Sequence, residues 1–190
     1  SGANRAQVAD LDNLRNFLIN TYGYDPGGYG STKDELQGLK LFGKLDFNLG
    51  DKHRLTVRHQ YTKAEQYDRN GGSSNTINFE NNGVYFPSTT NSSAVELHSS
   101  LGNSLSNNLI LGFTKVHDDR DAIGDDFPYL FINDQSAGTI RLGTEEFSTA
   151  NILDQSTFSI TDNLKLFKRT HTFTFGTHNE FYFFNNVFKR

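Results

Sequence analysis

Three stretches of the chain alternate between apolar and polar residues with a period of two, and each folds back on itself after a short turn. The predicted strand pairs are Gly38–Leu49 with Arg54–Lys63, Ala94–Asn103 with Asn108–His117, and Ser156–Leu166 with Thr170–Phe184. A period of two places successive side chains on opposite faces of a β-strand. The pattern therefore predicts three antiparallel hairpins, six strands in all, and an all-β fold.

The two faces of these predicted strands differ in chemistry. In the first strand Leu41, Leu45 and Phe47 share one face, whereas Lys44 and Asp46 share the other. In a soluble β-sandwich the apolar face would pack against a second sheet. In an outer-membrane barrel the apolar face contacts lipid and the polar face lines the lumen. The alternation by itself is compatible with both architectures.

The connections between the predicted strands favour the barrel. Turns within each pair are short, whereas the predicted loops 64–93 and 118–155 are long. Short turns on one side and long loops on the other are typical of transmembrane barrels, and such loops are uncommon in compact soluble domains. A strand of about ten residues is also long enough to cross a bilayer when tilted. We therefore predict an antiparallel transmembrane β-barrel segment with long extracellular loops.

One short helix is predicted before the first strand. Apolar residues recur every three to four positions over Ala6–Tyr22, and the stretch ends before Gly23 and the turn Asp25-Pro26-Gly27-Gly28. We interpret residues 1–37 as an extracellular loop segment that carries a short amphipathic helix. Residues 38–190 are interpreted as a partial β-barrel.

Composition narrows the function classes. The net charge is −4 without any strongly basic stretch, which argues against nucleic acid as a partner. Cysteine is absent, and no apolar run is long enough for a transmembrane helix. No hydrolase elbow, zinc-protease motif or phosphate-binding loop is present, so we expect no enzymatic activity. Methionine is absent and the last predicted strand lacks a following partner, so we expect the chain to be part of a larger protein.

Aromatic residues among short polar residues in the two long loops are candidate ligand contacts. They would engage a sugar or a peptide at the cell surface, or else pack the loops against one another. These residues are Tyr67, Tyr85, Phe86, Phe127 and Tyr129.

Five carboxylates fall within nine residues of the second long loop, at Asp118, Asp119, Asp121, Asp125 and Asp126. Of these, Asp118, Asp119 and Asp121 are also candidate ligand contacts. Acidic loops rich in oxygen ligands can bind Ca²⁺, although the spacing does not match an EF-hand. The alternative is a solvated acidic loop, and no other metal site or cofactor is predicted.

Several short sequences, in order along the chain, resemble the barrel region of one receptor family. They are Tyr24-Asp25-Pro26-Gly27-Gly28-Tyr29, Phe86-Pro87-Ser88-Thr89-Thr90-Asn91-Ser92, Asn107-Asn108-Leu109-Ile110-Leu111-Gly112-Phe113-Thr114, Phe147-Ser148-Thr149-Ala150-Asn151 and His171-Thr172-Phe173-Thr174-Phe175-Gly176-Thr177-His178-Asn179-Glu180. The chain resembles TonB-dependent outer-membrane receptors of the Bacteroidetes. The particular likeness is to the Oar-like group, whose members carry an N-terminal carboxypeptidase-regulatory-like domain.

This resemblance implies a 22-stranded barrel in the bacterial outer membrane, closed by a plug and driven by the TonB complex. The implied partners are outer-membrane lipid, the remaining barrel and plug, the TonB complex and a surface lipoprotein. The chain would then supply about six strands of barrel wall and parts of the ligand-contacting loops. From the residues alone, the competing hypothesis is a soluble cell-surface β-sandwich that acts as an adhesin or glycan-binding module, with Ca²⁺ in the acidic loop.

Overall fold

A computed structural model describes residues 6–30, 33–69, 71–134 and 138–188. Residues 1–5 and 31–32 of the predicted loop segment 1–37 lie outside the described residues. The same holds for residues 70, 135–137 and 189–190 of the predicted partial barrel 38–190.

Nearly all of the regular structure is β. In chain order the elements are α1 (Val8–Tyr22), β1 (Glu35–Leu49), β2 (His53–Asp68), β3 (Thr76–Asn78), a 3₁₀ turn (Glu80–Asn82), β4 (Val84–Ser100), β5 (Leu105–Ala122), β6 (Leu130–Asp134), β7 (Gly138–Leu142), β8 (Asn151–Lys168) and β9 (His171–Phe188).

Six long strands form one antiparallel sheet in the order β1-β2-β4-β5-β8-β9. The three predicted hairpins are confirmed as β1–β2, β4–β5 and β8–β9, with Leu45 opposite Val57 in the first and Val95 opposite Leu111 in the second. The prediction of an all-β fold with six antiparallel strands is therefore confirmed. The sheet is open: within the described part of the chain, the outer edges of β1 and β9 pair with no other strand.

The predicted strand and loop boundaries are wrong, because the strands are longer than the apolar alternation indicates. They run for 15 to 18 residues. Residues 64–68 and 84–93 of the predicted loop 64–93 belong to β2 and β4. Residues 118–122 and 151–155 of the predicted loop 118–155 belong to β5 and β8. Backbone pairing continues through positions such as Ser88 opposite Asp118, where neither side chain is apolar.

A second, smaller unit is built from the segments between the long strands. Its three-stranded sheet has the order β3-β7-β6, with β3 parallel and β6 antiparallel to β7. Helix α1 and this sheet share a hydrophobic core formed by Leu11, Leu18, Tyr24, Phe79 and Leu142. We call this unit, the described residues of 6–30, 71–83 and 123–150, the cap.

Helix α1 begins two residues later than predicted, at Val8. The capping residue Gln7 and Asp10 bond each other's backbone, and the Gln7 N–H donates to Asp10 Oδ2 at 3.3 Å. The predicted stop is confirmed: Gly23 adopts φ 70° and its N–H donates to the carbonyl of Ile19. Among the described residues, no helix combines the length and the apolar character that a bilayer span needs.

Candidate functional site

One face of the six-stranded sheet carries most of its large apolar side chains, and no described element packs over it. We call it the apolar face. Its central row crosses five neighbouring strands, with the members directly opposite one another: Leu45, Val57, Val95, Leu111 and Ile160. Leu45 is 63 % exposed and Val57 is 36 % exposed. The β-sandwich hypothesis requires a second sheet over this face, and the described residues place none there.

Polar residues border the apolar face toward the cap. Lys63, His117 and Asp154 lie on this face near that end of their strands, and His117 Nδ1 lies 2.7 Å from Asp154 Oδ1. Within the apolar region several positions on this face are polar, namely His59, Ser93, Asn107, Asn179 and Asp162, of which Asp162 lies opposite Leu109. The amide of Asn107 donates to Asp162 Oδ1 at 2.7 Å, so this carboxylate has a hydrogen-bond partner on its own face.

The opposite face, which we call the polar face, carries charged side chains along a groove of about 520 Å³. Asp46 forms ion pairs with Lys44 at 3.0 Å and with Arg54 at 3.4 Å, and it accepts a hydrogen bond from the Thr56 hydroxyl at 2.5 Å. The groove also contains Arg58, Glu96 and His98. A surface of this kind is suited to contact with water or polar groups rather than hydrocarbon.

Neighbouring strands crowd each other on the polar face at Gly112. A second groove, of about 320 Å³, lies beside Gly112 on that face. A Cβ atom added at Gly112 would collide with Ser159 Oγ on the neighbouring strand, whereas one added at Gly43 on the apolar face would enter open space. The polar face is therefore crowded at Gly112, on an inner strand, whereas Gly43 lies on the edge strand β1.

Three of the predicted contact residues lie on long strands rather than in loops. Tyr67 and Tyr85 are directly opposite each other on β2 and β4, with ring centroids 4.6 Å apart, and the Tyr85 hydroxyl donates to Glu65 at 2.6 Å. Phe86 faces the other way and lines a groove of about 200 Å³ beside Arg120. The structure therefore separates Phe86 from the two tyrosines.

The acidic series is divided by the alternation of β5. Asp118 lies on the polar face, whereas Asp119 and Asp121 lie on the apolar-face side at the cap end of the strand. Asp125 and Asp126 follow in the segment after β5. No group of three or more His, Cys, Asp or Glu side chains in the described ranges is arranged to hold a metal ion. Calcium binding by the series stays a prediction.

Phe127 and Tyr129 are brought together in the cap. With Pro128, they form one wall of a groove of about 440 Å³, whose other lining residues are Asp126, Thr144, Glu145, Glu146 and Thr149. The walls are joined by two hydrogen bonds: the Thr144 N–H donates to the Phe127 carbonyl and the Phe127 N–H to Thr144 Oγ1, both at 2.9 Å. The groove thus combines aromatic rings with carboxylates.

Sequence reasoning did not select the aromatic residues of α1 that continue this surface. Phe17 and Tyr22 make an edge contact with ring centroids 5.9 Å apart, and Tyr22 makes the same kind of contact with Phe127 at 5.9 Å. Phe17 is 54 % exposed and Tyr22 is 62 % exposed. The available signal was an extra apolar residue beside the core-facing positions Leu11 and Leu18 of an otherwise amphipathic helix.

Electrostatic interactions hold the turn after α1 in place. Arg15 donates to both carboxylate oxygens of Asp25, at 2.9 and 2.7 Å, and Asp25 also accepts from the Gly27 N–H at 3.0 Å. The hydrogen bond from Arg15 lowers the pKa of Asp25 below its usual value. Burial raises the pKa of the Tyr24 hydroxyl, which lies in the cap core. These interactions stabilise the turn and the cap core, and neither Arg15 nor Asp25 lines the groove of aromatic and acidic residues.

No protein-family model, no curated protein and no solved structure matches this chain.

Proposed function

We propose that this chain is part of a TonB-dependent outer-membrane receptor of a bacterium and supplies barrel wall and outer loops. The apolar face contacts lipid, the polar face lines the lumen, and the cap lies on the extracellular side. The observation that carries the proposal is the uncovered apolar face opposite a charged one. A soluble protein would bury that apolar face, whereas a membrane barrel exposes it to hydrocarbon.

The length of the apolar face agrees with a bilayer span. On β1 the apolar positions extend from Leu39 to Leu49. At about 3.3 Å per residue these positions cover about 33 Å along the strand. At a tilt of roughly 40° from the membrane normal, that length corresponds to about 25 Å of height, the usual apolar band of an outer-membrane barrel. The polar residues Lys63, His117 and Asp154 then lie at the outer boundary of this band.

The open edges of β1 and β9 indicate what the rest of the receptor contributes. Unpaired strand edges leave backbone N–H and C=O groups without partners, which is too costly in hydrocarbon. In this proposal the remaining strands close the barrel at both edges. A plug inside the barrel would contact the polar face, and the coupling to the TonB complex would lie in that plug.

Spin labels on neighbouring residues of β2 test the proposal, because Val57 and Thr56 lie on opposite faces. This chain has no cysteine, so Val57→Cys and Thr56→Cys introduce single attachment sites once any cysteine elsewhere in the full-length protein is replaced. In native outer membranes we expect the label at position 57 to be accessible to oxygen and protected from a water-soluble nickel chelate. The label at position 56 should be accessible to the chelate. Equal access of the chelate to both labels would refute the lipid-facing assignment.

A further inference from the structure

The cap and the six-stranded sheet differ sharply in charge. The described segments of the cap contain nine carboxylate side chains and two guanidinium groups, a net charge of −7. The described segments 33–69, 84–122 and 151–188 contain thirteen acidic and thirteen basic side chains, a net charge of zero. The negative charge of the chain is thus concentrated in the cap, where it attracts cations over distances of about a Debye length, roughly 8 Å at physiological salt.

The same unit exposes a continuous aromatic surface. Phe17 and Tyr22 on α1 lead through ring contacts of 5.9 Å each to Phe127 in the cap groove. The far side of Phe127 stacks on the buried ring of Tyr24 at 4.1 Å, which holds it in place. Large aromatic side chains that stay more than half exposed, as Phe17 and Tyr22 do, form an apolar patch of the kind that indicates an interaction surface.

Carboxylates lie beside this aromatic surface in the cap groove. Asp126 lines it together with Glu145 and Glu146, and Glu145 is engaged by the Ser148 hydroxyl, at 2.5 Å, and by Arg120, at 3.5 Å. Rings next to carboxylates match side chains that combine a cation with an apolar stem. Lysine and arginine have this form, since their methylene groups pack on aromatic rings while the charged end pairs with an acid.

We propose that this cap surface, formed by Phe17, Tyr22, Asp126, Phe127, Tyr129 and Glu146, binds a cationic peptide segment that also carries apolar residues. The lysine or arginine heads lie toward Asp126, and apolar side chains pack on Phe17 and Tyr22. An anionic partner would be repelled by the net charge of −7, and a neutral partner would make no use of it. The inference goes beyond the proposed function, because binding at the cap does not require the sheet to lie in lipid.

Fluorescence anisotropy with the full-length protein in a non-ionic detergent tests the inference. The probe is a fluorescein-labelled octapeptide of alternating lysine and leucine, with binding to empty micelles subtracted. We expect Asp126→Asn to weaken the affinity by about twofold to fivefold, the cost of one charge pair at an exposed site. Phe17→Ser should weaken it by a similar factor. Raising the salt concentration from about 50 mM to about 0.5 M should also weaken binding of the peptide to the wild-type protein.

Matched controls separate the cap surface from a general charge effect. Asp51→Asn makes the same charge change in the β1–β2 turn, at the opposite end of the strands, and should leave the affinity unchanged. The same peptide with glutamate in place of lysine should not bind. Equal binding of the anionic peptide, or equal affinities for Asp126→Asn, Phe17→Ser and Asp51→Asn, would overturn the proposal. Binding of Ca²⁺ alone, with no binding of the cationic peptide, would also overturn it.

Discussion

Placing an arginine at Leu45 separates a lipid-facing sheet from one that faces water. Leu45 lies in the central row of the apolar face and its side chain is 63 % exposed. If that exposed part faced water, Leu45→Arg would change the free energy of unfolding by about 0.5 kcal/mol or less, as usual for surface substitutions. If it faces the middle of a bilayer, an arginine on the lipid side of a barrel costs about 2–4 kcal/mol. The predicted loss of unfolding free energy is therefore several-fold larger in a bilayer than in water.

The assay is guanidinium unfolding of the full-length protein in phospholipid vesicles, followed by the β-sheet signal in far-UV circular dichroism. Leu36→Arg is the matched control, because Leu36 lies on the same strand, on the polar face and nearer the cap, and is 74 % exposed. We expect the control to stay within about 0.5 kcal/mol of the wild type. If Leu45→Arg were no more destabilising than Leu36→Arg, the assignment of the apolar face to lipid would be wrong.

Three further predictions concern the crowding at Gly112 and the cap. Gly112→Val should destabilise the folded protein by about 1–3 kcal/mol, because the added atoms collide with the Ser159 side chain on the neighbouring strand. Gly43→Val should be tolerated in the same unfolding assay, and equal effects would contradict the crowding at Gly112. Phe79→Ala removes a fully buried ring from the cap core, and we expect a loss of about 3–5 kcal/mol in cap stability, seen as faster amide exchange over 76–82 with little change in β5. The pKa of Asp25 is lower in the folded protein than in the unfolded chain, so its ion pair stabilises the cap fully at pH values above the unfolded pKa and is lost as the pH falls through the folded pKa. The difference in stability between the wild type and Asp25→Asn should therefore shrink in acid. A difference that stays constant with pH would refute this linkage.

The strand pairs were predictable because their signal is local. Alternation of Leu39 to Leu49 with lysine and aspartate marks a strand and both of its faces without reference to the rest of the chain. The ends of the strands were not predictable in the same way. Residues such as Ser88 and Asp118 stay in the sheet through backbone hydrogen bonds, and those bonds leave no hydrophobic pattern in the sequence.

The candidate contact residues show the same limit. Tyr67, Tyr85 and Asp118 were assigned to loops because their neighbours are polar, yet they lie on strands, and alternation sends Asp118 to a different face from Asp119. Phe127 and Tyr129 do lie in one groove. Their partners across it come from residues 144–149, and no local pattern connects the two segments.

By itself the sequence determined the hairpins, the two chemically different faces and the helix with its glycine stop, since each depends on residues within a few positions of one another. Only the tertiary structure decided that the predicted loops form a cap with its own core. That core joins Leu11 and Leu18 to Phe79 and Leu142, residues from three separate segments of the chain. The tertiary structure also decided where neighbouring strands crowd each other, as at Gly112 and Ser159, because each strand contributes only half of that contact.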